Sequence, residues 1–358
     1  MTMTAHVSAR LSTPGDRAPG SDRLAPMRIA FCTSLAPTLH AAWLAELRAL
    51  RPADEWREAW QPGEMVDAAV VAQPPAGALA GLRGLRLIQS LWAGVEGLLA
   101  DATLPADVPL ARMVDPAMTA AMAESAAWAV LSLHRRFFDY AAQQAQARWL
   151  QWPQRRADEV SVLVLGAGAM GLGVAARLHG LGYRVRAWRR GDGDALPAGD
   201  ARAPDPAAGA QRPGRPEAAT VPVVSGLAAL GLALSGTEIV VNLLPLTPQT
   251  RGFLSARLFE AMPPGGAVVN FGRGDHLVEA DLLAALDSGH LHRAVLDVHA
   301  VEPLPPDHAL WRHPRVTVLP HVAAQTDRRS AAQVVAANLA RLEAGLAPLH
   351  RVDRTRGY

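Results

Sequence analysis

Short apolar runs alternate along the chain with longer stretches whose apolar residues recur at helical spacing, beginning at Met27. Runs of this kind are typical of β-strands joined by helices, which together build a parallel sheet. In the first part of the chain, strands are predicted at 28–32, 68–71 and 85–90, and a helix is predicted at 37–50. These elements predict a small N-terminal α/β domain.

A second group of apolar runs follows a segment at 119–149 that is rich in Ala and Gln. Because this segment contains neither Gly nor Pro, it predicts a long helix or a helix pair, which links two domains or packs against a partner subunit. Six strands are predicted after it, at 160–165, 184–188, 239–243, 267–271, 294–298 and 316–319. Their helix-sized spacing predicts a doubly wound parallel sheet of the Rossmann type. A last helix, predicted at 328–345, would return to the first domain.

A chain of 358 residues suits two domains with a cleft between them. We assign 27–116 together with 326–358 to the smaller domain, and 117–325 to the Rossmann domain. Residues 1–26 are predicted to form a disordered tail. Residues 191–222 are crowded with Pro, Gly, Ala and Asp, so they predict a flexible surface insertion.

Charge and cysteine content narrow the classes of function. The 35 basic and 33 acidic residues nearly balance and form no dense basic run, so no nucleic-acid groove is predicted. Cys32 is the only cysteine, which excludes an internal disulfide framework and fits a reducing cytoplasm. No His, Asp and Glu group has metal-ligand spacing, so no metal is expected. The opening 1–26 has no apolar core and predicts neither a secretory signal nor a membrane span.

The predicted strand at 160–165 runs directly into the glycine-rich turn GAGAMG, which an Ala- and Leu-rich helix follows. In such a turn Gly166 permits the tight bend, Gly168 lets the backbone approach a pyrophosphate, and Gly171 allows the helix to pack on the strand. The helix N-terminus adds unpaired N–H groups and a positive dipole end. The pattern alone is weak, but its position between a strand and a helix favours a dinucleotide site.

The next predicted strand is followed by two arginines instead of an acidic residue. A site specific for NAD places Asp or Glu there to accept hydrogen bonds from the ribose hydroxyls. Arg189 and Arg190 are donors only and would attract a 2′-phosphate, so NADPH is favoured over NADH. The alternative is a solvated arginine pair, with Asp192 or Asp194 in the acidic role.

Three later strands end in residues that suit the reduction of a 2-oxo acid, and the carboxyl ends of parallel strands line the ligand crevice. Arg273 follows the strand at 267–271; the next strand includes Asp297 and leads to Glu302; and His321 follows the last strand. Arg would hold a carboxylate and polarise a carbonyl, and His would supply the proton. A carboxylate on the other ring nitrogen would orient the imidazole.

Each of these three residues also has a plain interpretation. His321 could be a structural histidine, Glu302 an exposed loop acid and Arg273 a surface arginine. Their joint placement after successive strands favours an active site for hydride transfer without a metal.

Six ordered motifs of the chain resemble those of the D-2-hydroxyacid dehydrogenase family. They are LWAGVE at 91–96, GAGAMG at 166–171, NLLPLTPQT at 242–250, NFGRG at 270–274, LDVHAVEP at 296–303 and PHVAA at 320–324. From Met27 to the ending VDRTRGY, the chain is most similar within that family to the bacterial glyoxylate/hydroxypyruvate reductases of type A. Several long motifs in register make the resemblance specific.

The resemblance implies an NADP-binding Rossmann domain beside a flavodoxin-like α/β domain that binds substrate. It implies that Arg273 binds the substrate, that His321 is the acid/base and that Glu302 is its partner. It also implies a preference for NADPH, a homodimer, and glyoxylate and hydroxypyruvate as substrates.

Further residues take expected roles from the same resemblance. Backbone amides of Ala93, Gly94 and Val95 would bind the substrate carboxylate, and Trp92 would shape the pocket. Besides the glycine turn and the arginine pair, the residues expected along the cofactor are Ala169, Met170, Leu244, Pro245, Phe271, Gly272, Asp297, His321 and Ala323.

Two residues depart from the family pattern near the substrate end. Glu96 stands where Asp is usual, and His299 stands where many members have an aromatic residue. Two alternatives stay open on the same fold: a reductase of bulkier 2-oxo acids, or a formate-oxidising enzyme. A third alternative is a nucleotide-sensing scaffold, which would not need to retain Arg273, Glu302 and His321.

Overall fold

The computed structural model describes residues 26–191 and 221–358, which form two parallel sheets. The predicted tail up to residue 25 and residues 192–220 of the predicted insertion lie outside the described residues. The predicted fold class, a doubly wound sheet with a second α/β unit, is confirmed.

The smaller sheet has five parallel strands in the order β2-β1-β3-β4-β5. They are β1 (Arg28–Thr33), β2 (Glu55–Arg57), β3 (Ala68–Ala72), β4 (Leu87–Ser90) and β5 (Leu110–Ala111). Helix α1 (Pro37–Leu50) has the predicted bounds, and the short α2 (Glu96–Leu99) follows β4. The sequence analysis missed β2 and β5, because runs of three and two residues carry no readable periodicity.

Both faces of the smaller sheet are covered, so every residue of β3 and β4 is buried, and β3 is apolar throughout. On one face, Trp43 and Leu47 of α1 share a buried cluster with Val335 and Leu339 of the C-terminal helix α9 (Arg328–Glu343). The last helix therefore packs on the first sheet. This packing supports the discontinuous smaller domain that we propose from the sequence.

The larger sheet has seven parallel strands in the order β12-β11-β10-β9-β6-β7-β8. They are β6 (Ser161–Leu165), β7 (Arg184–Arg189), β8 (Val223–Ser225), β9 (Ile239–Asn242), β10 (Gly266–Asn270), β11 (Leu291–Leu296) and β12 (Val316–Val318). The chain builds outward from β6 to β8 and then returns to β9 on the other side of β6. This reversal is the point at which doubly wound sheets open a ligand crevice at their strand ends.

Six helices accompany the larger sheet: α3 (Pro116–His134), α4 (Phe137–Ala145), α5 (Ala169–Gly180), α6 (Gly226–Leu234), α7 (Ala256–Glu260) and α8 (Glu279–Asp287). The segment predicted at 119–149 is thus a helix pair, which breaks where Arg136 adopts a left-handed conformation with φ of 59°.

Two strand predictions need correction. The strand predicted at 294–298 spans Leu291–Leu296, so Asp297 lies just after the strand instead of inside it. Strand β8 was not predicted, because it directly follows the Pro- and Gly-rich insertion. It nevertheless pairs with β7, and the carbonyl of Pro222 accepts the N–H of Ala187 at 2.9 Å.

Candidate active site

The glycine turn after β6 has the shape that a dinucleotide site requires. Gly166 has φ of +108°, and a Cβ there would lie 2.7 Å from the carbonyl oxygen of Leu243. A Cβ on Gly171 would lie 1.7 Å from the oxygen of Gly166, so only glycine permits this packing. Gly168 is exposed, precedes the N-terminus of α5 and has open space around its Cβ position. A pyrophosphate therefore fits over Gly168, next to Ala169 and Met170 in the first turn of α5.

The arginine pair lies at the end of β7, as predicted. Arg189 Nε donates to Ser225 Oγ at 3.0 Å, so the neighbouring strand β8 holds this side chain in place. Among residues 26–191 and 221–358, Nη1 of Arg190 is buried without a hydrogen-bond partner. A buried donor of this kind is costly unless a ligand satisfies it, which fits a phosphate group. Asp192 and Asp194 lie outside the described residues.

A buried polar network that sequence reasoning missed supports the ends of β9 and β10. Asn242 Nδ2 donates to Asn270 Oδ1 and to His276 Nδ1, both at 2.9 Å. The backbone N–H of Arg273 donates to the same Nδ1 at 3.1 Å, and His276 Nε2 donates to the carbonyl of Pro245 at 3.2 Å. The imidazole is therefore neutral, with its proton on Nε2.

This network shapes the predicted cofactor-lining residues. The N–H of Leu244 donates to Asn242 Oδ1 at 3.3 Å, and that of Gly272 donates to Asn270 Oδ1 at 3.2 Å. Phe271, which directly precedes Gly272, is buried in a hydrophobic core of the larger sheet. Burial lowers the pKa of His276, and the nearby Arg273 guanidinium adds to this effect.

Arg273 reaches from the end of β10 to the smaller domain. Its Nε atom lies 3.2 Å from Oε1 of Glu96, and its Nη1 donates to the carbonyl of Gly272 at 2.8 Å. A Cβ on Gly94 would lie 1.9 Å from Arg273 Nη2. The guanidinium thus lies directly on the backbone whose amides were predicted to bind the substrate carboxylate.

The predicted pair of Glu302 and His321 is in contact. His321 Nδ1 lies 2.7 Å from Glu302 Oε2, and Glu302 Oε1 accepts the backbone N–H of His299 at 2.9 Å. Burial raises the pKa of Glu302, but the hydrogen bonds from His321 and His299 outweigh this effect and leave the pKa below its usual value. The His321 side chain is 51% exposed, so its ring borders the crevice.

Asp297 holds the turn that carries His321. Its two carboxylate oxygens accept the N–H groups of Val322 at 2.7 Å and of Ala323 at 2.9 Å, and its carbonyl accepts the N–H of His321 at 2.8 Å. His321 has φ of 56°, an uncommon conformation for a residue with a side chain, and these bonds hold it there. Burial raises the pKa of Asp297, against the effect of the two N–H donors.

The remaining predicted residues lie at the edges of the site. Trp92 packs edge to face on the buried Trp43, with ring centroids 6.2 Å apart, and Val95 is buried in the smaller domain. His299 is buried, and its Nε2 donates to the carbonyl of Leu319 at 3.3 Å. A Cβ on Gly274 would lie 1.9 Å from the carbonyl carbon of His299, so the turns after β10 and β11 touch.

Within the part of the chain that the structure describes, no group of three His, Cys, Asp or Glu side chains could hold a metal ion. Over the same residues, none of the helices combines the length and the apolar character that crossing a bilayer requires.

Comparison with known proteins places this site in a family. The sequence profile of the D-isomer specific 2-hydroxyacid dehydrogenase NAD-binding domain matches residues 127–201 and 208–323. A protein of Serratia proteamaculans named glyoxylate/hydroxypyruvate reductase A is 39% identical over 323 residues, which cover 88% of this chain and 96% of the relative. A protein of Salmonella paratyphi B with the same name is 39% identical over 330 residues, 90% of this chain and 98% of the relative.

Solved structures support the same family assignment. A D-isomer specific 2-hydroxyacid dehydrogenase from Xanthobacter autotrophicus, in complex with NADPH and MES, has a TM-score of 0.82 at 36% identity and covers 93% of this chain and 100% of its own. An NADPH-dependent glyoxylate/hydroxypyruvate reductase from Sinorhizobium meliloti, in complex with NADP and sulfate, has a TM-score of 0.78 at 32% identity with the same coverage. The resemblance predicted from the motifs is confirmed. This chain belongs to the D-isomer specific 2-hydroxyacid dehydrogenase family and is an oxidoreductase with a nicotinamide-dinucleotide-binding domain.

Proposed function

We propose that this enzyme uses NADPH to reduce small 2-oxo acids, with glyoxylate and hydroxypyruvate as its substrates and glycolate and glycerate as its products. The observation that carries the proposal is the hydrogen bond between His321 and Glu302, at the edge of the larger sheet where the strands have their carboxyl ends. Arg273 projects from the same edge. The names of the relatives from Serratia and Salmonella support this choice of substrates.

His321 is the proposed proton donor. Its Nδ1 atom is bonded to Glu302, so Nε2 is the nitrogen that faces the substrate oxygen. Glu302 fixes the ring orientation and stabilises the imidazolium, and Nε2 gives its proton to the carbonyl oxygen as that oxygen gains negative charge. In the reverse direction the same nitrogen takes the proton from the hydroxyl group.

Arg273 is the proposed substrate-binding residue. Its Nη2 atom lies against Gly94, so it can hold the substrate carboxylate while the amides of Ala93, Gly94 and Val95 donate to the same group. The guanidinium also stabilises the charge that develops on the carbonyl oxygen. Trp92, packed on Trp43, gives this end of the pocket a rigid wall.

The cofactor site is proposed to extend along the carboxyl ends of β6, β7, β9 and β10. NADPH supplies the hydride when bound. Gly166, Gly168 and Gly171 would accommodate its pyrophosphate, and Arg189 and Arg190 its 2′-phosphate. Additional lining residues would be Ala169, Met170, Leu244, Pro245, Phe271, Gly272, Asp297 and Ala323. The buried Nη1 of Arg190 supports the preference for NADPH over NADH.

We also propose a homodimer, as the resemblance implies. The side chain of Trp149, after α4, is 93% exposed, which is unusual for so large an apolar group and supports a partner surface there. Light scattering of the purified protein at micromolar concentration tests this part. A monomer mass would contradict it.

Steady-state rates test the proposed function. Glyoxylate, hydroxypyruvate, pyruvate and phenylpyruvate are each reduced with NADPH and with NADH, and formate is assayed in the oxidising direction. We expect the highest kcat/KM for glyoxylate and hydroxypyruvate with NADPH. A maximum for phenylpyruvate indicates a reductase of bulkier acids instead, and formate oxidation indicates that branch of the family. Tight NADPH binding without turnover indicates a nucleotide-sensing scaffold.

A further inference from the structure

We propose that Glu96 is a positioning residue, whose carboxylate aligns the guanidinium of Arg273 for the substrate. This inference rests on the proposed function, because the substrate role of Arg273 is assigned there. It concerns the acidic residue that ends the motif LWAGVE at 91–96.

The contacts of Arg273 show how the alignment works. A guanidinium has five N–H donors in a rigid plane, so fixing two of its nitrogens fixes the third. Nε is paired with Glu96 Oε1 at 3.2 Å, and Nη1 donates to the carbonyl of Gly272 at 2.8 Å. Nη2 is thereby directed at Gly94 and the backbone amides of the pocket. Without Glu96, only the single bond to Gly272 would hold the plane.

The ion pair also connects the two sheets. Glu96 begins α2, which follows β4 of the smaller sheet, whereas Arg273 follows β10 of the larger sheet. The contact therefore exists only when the two sheets face each other across the crevice at this separation. In this arrangement the guanidinium of Arg273 is aligned for the substrate. Closing the crevice therefore also aligns the substrate-binding group.

The energetics favour orientation over stability as the purpose of this pair. The side chains of Glu96 and Arg273 are 32% and 34% exposed, and water screens ion pairs at such sites. A pair of this kind adds little to the free energy of unfolding. Its geometric effect is larger, because a small misplacement of a substrate-binding group slows turnover by about 100-fold.

Two substitutions separate pairing from packing. Glu96→Gln keeps the size of the side chain and removes its charge, whereas Glu96→Asp keeps the charge and shortens the side chain by one methylene. If the charge aligns Arg273, Asp retains more activity than Gln. If Glu96 only fills space, Gln matches the wild type and Asp is the weaker variant.

The experiment measures initial rates with glyoxylate at saturating NADPH for the wild type and both variants, with oxalate as an unreactive dicarboxylate probe. NADPH binding is followed separately by its fluorescence. The matched control is Glu260→Gln, which removes one negative charge from an exposed position at the end of α7. We expect Glu96→Gln to lower kcat by about 10- to 100-fold. Because Arg273 also holds the substrate carboxylate, we expect KM for glyoxylate to rise and inhibition by oxalate to weaken, whereas binding of NADPH should stay unchanged.

The outcomes are distinguishable. A wild-type enzyme that reduces glyoxylate, together with a Glu96→Gln variant of unchanged kcat, overturns the positioning role and leaves the proposed function intact. The reversed order, with Gln more active than Asp, also overturns it in favour of packing. A wild-type protein that binds NADPH but reduces no 2-oxo acid overturns both proposals. Thermal melting of each variant identifies any loss of rate that comes from unfolding.

Discussion

His321 and Glu302 are joined by a hydrogen bond of 2.7 Å between Nδ1 and Oε2, although they lie in the turns that follow two different strands. The second carboxylate oxygen of Glu302 accepts a hydrogen bond from the backbone N–H of His299, so the carboxylate cannot rotate without breaking that hydrogen bond. The imidazole therefore has a fixed tautomer and a fixed direction, as an acid/base residue in this reaction requires.

The first prediction concerns this pair. Replacing His321 with Gln removes the proposed proton donor, so kcat for glyoxylate should fall by about 100- to 10,000-fold while NADPH binding is nearly intact. His313→Gln is a matched control, because His313 pairs with Asp287 at 3.2 Å at the amino end of β12. A wild-type rate for His321→Gln would remove this residue as the acid.

The second prediction concerns cofactor choice. The double variant Arg189→Ala and Arg190→Ala should raise the Kd for NADPH by at least about 100-fold, since hydrogen bonds to charged groups contribute about 1.5–3 kcal/mol each and about 1.4 kcal/mol corresponds to a tenfold change in Kd. Binding of NADH, which has no 2′-phosphate, should change little. Arg186→Ala, exposed on the same strand, is the control for a general loss of positive charge. Equal weakening of both cofactors, measured by fluorescence titration, would refute the phosphate assignment.

The sequence predicted well what depends on local pattern. The helix at Pro37–Leu50 follows from apolar spacing and a proline at its start, and the glycine turn follows from its place between β6 and α5. Motifs that end successive strands were expected to meet, because parallel strands end at one edge. This rule predicted the contact between Glu302 and His321.

What the sequence could not predict depends on contacts between distant residues. The pairing of Glu96 with Arg273 needs the spacing of two sheets, and no local pattern contains that distance. The sequence analysis did not single out His276, yet this residue is fully buried and accepts hydrogen bonds from Asn242 and Arg273. Its spacing of three residues from Arg273 was the one available signal, and such spacings are common by chance.

The third prediction concerns the space between the guanidinium of Arg273 and the backbone of Gly94. In Gly94→Ala the new methyl group would lie 1.9 Å from Arg273 Nη2 and 2.6 Å from Glu96 Oε2, so both side chains must move. We expect a strong loss of kcat/KM for glyoxylate with little change in NADPH binding, because the glycine turn is in the other domain. Gly97→Ala, in α2 with open space around its Cβ position, should retain activity. Equal activity of the two variants would contradict the close approach of Arg273 to this backbone.

The fourth prediction concerns the pH dependence of stability. Burial lowers the pKa of His276 in the folded protein, so between that value and the ordinary histidine pKa of about 6.5 the unfolded chain binds more protons than the folded one. The contribution of neutral His276 to stability is therefore complete above about pH 6.5 and is lost as the pH falls below it. Protonation of Nδ1 would also break its bonds with Asn242 and with the N–H of Arg273.

Thermal melting of the wild type and of His276→Asn between pH 7.5 and pH 5 measures this effect. His292 serves as the comparison. Burial also lowers the pKa of His292, but this residue lies at the start of β11 and away from the crevice. The wild type should lose more of its Tm on acidification than His276→Asn does, and its kcat should fall over the same range, because the turn that carries Arg273 loses its support. Identical Tm losses in the two proteins would contradict a pKa of His276 that is lower in the folded protein than in the unfolded chain.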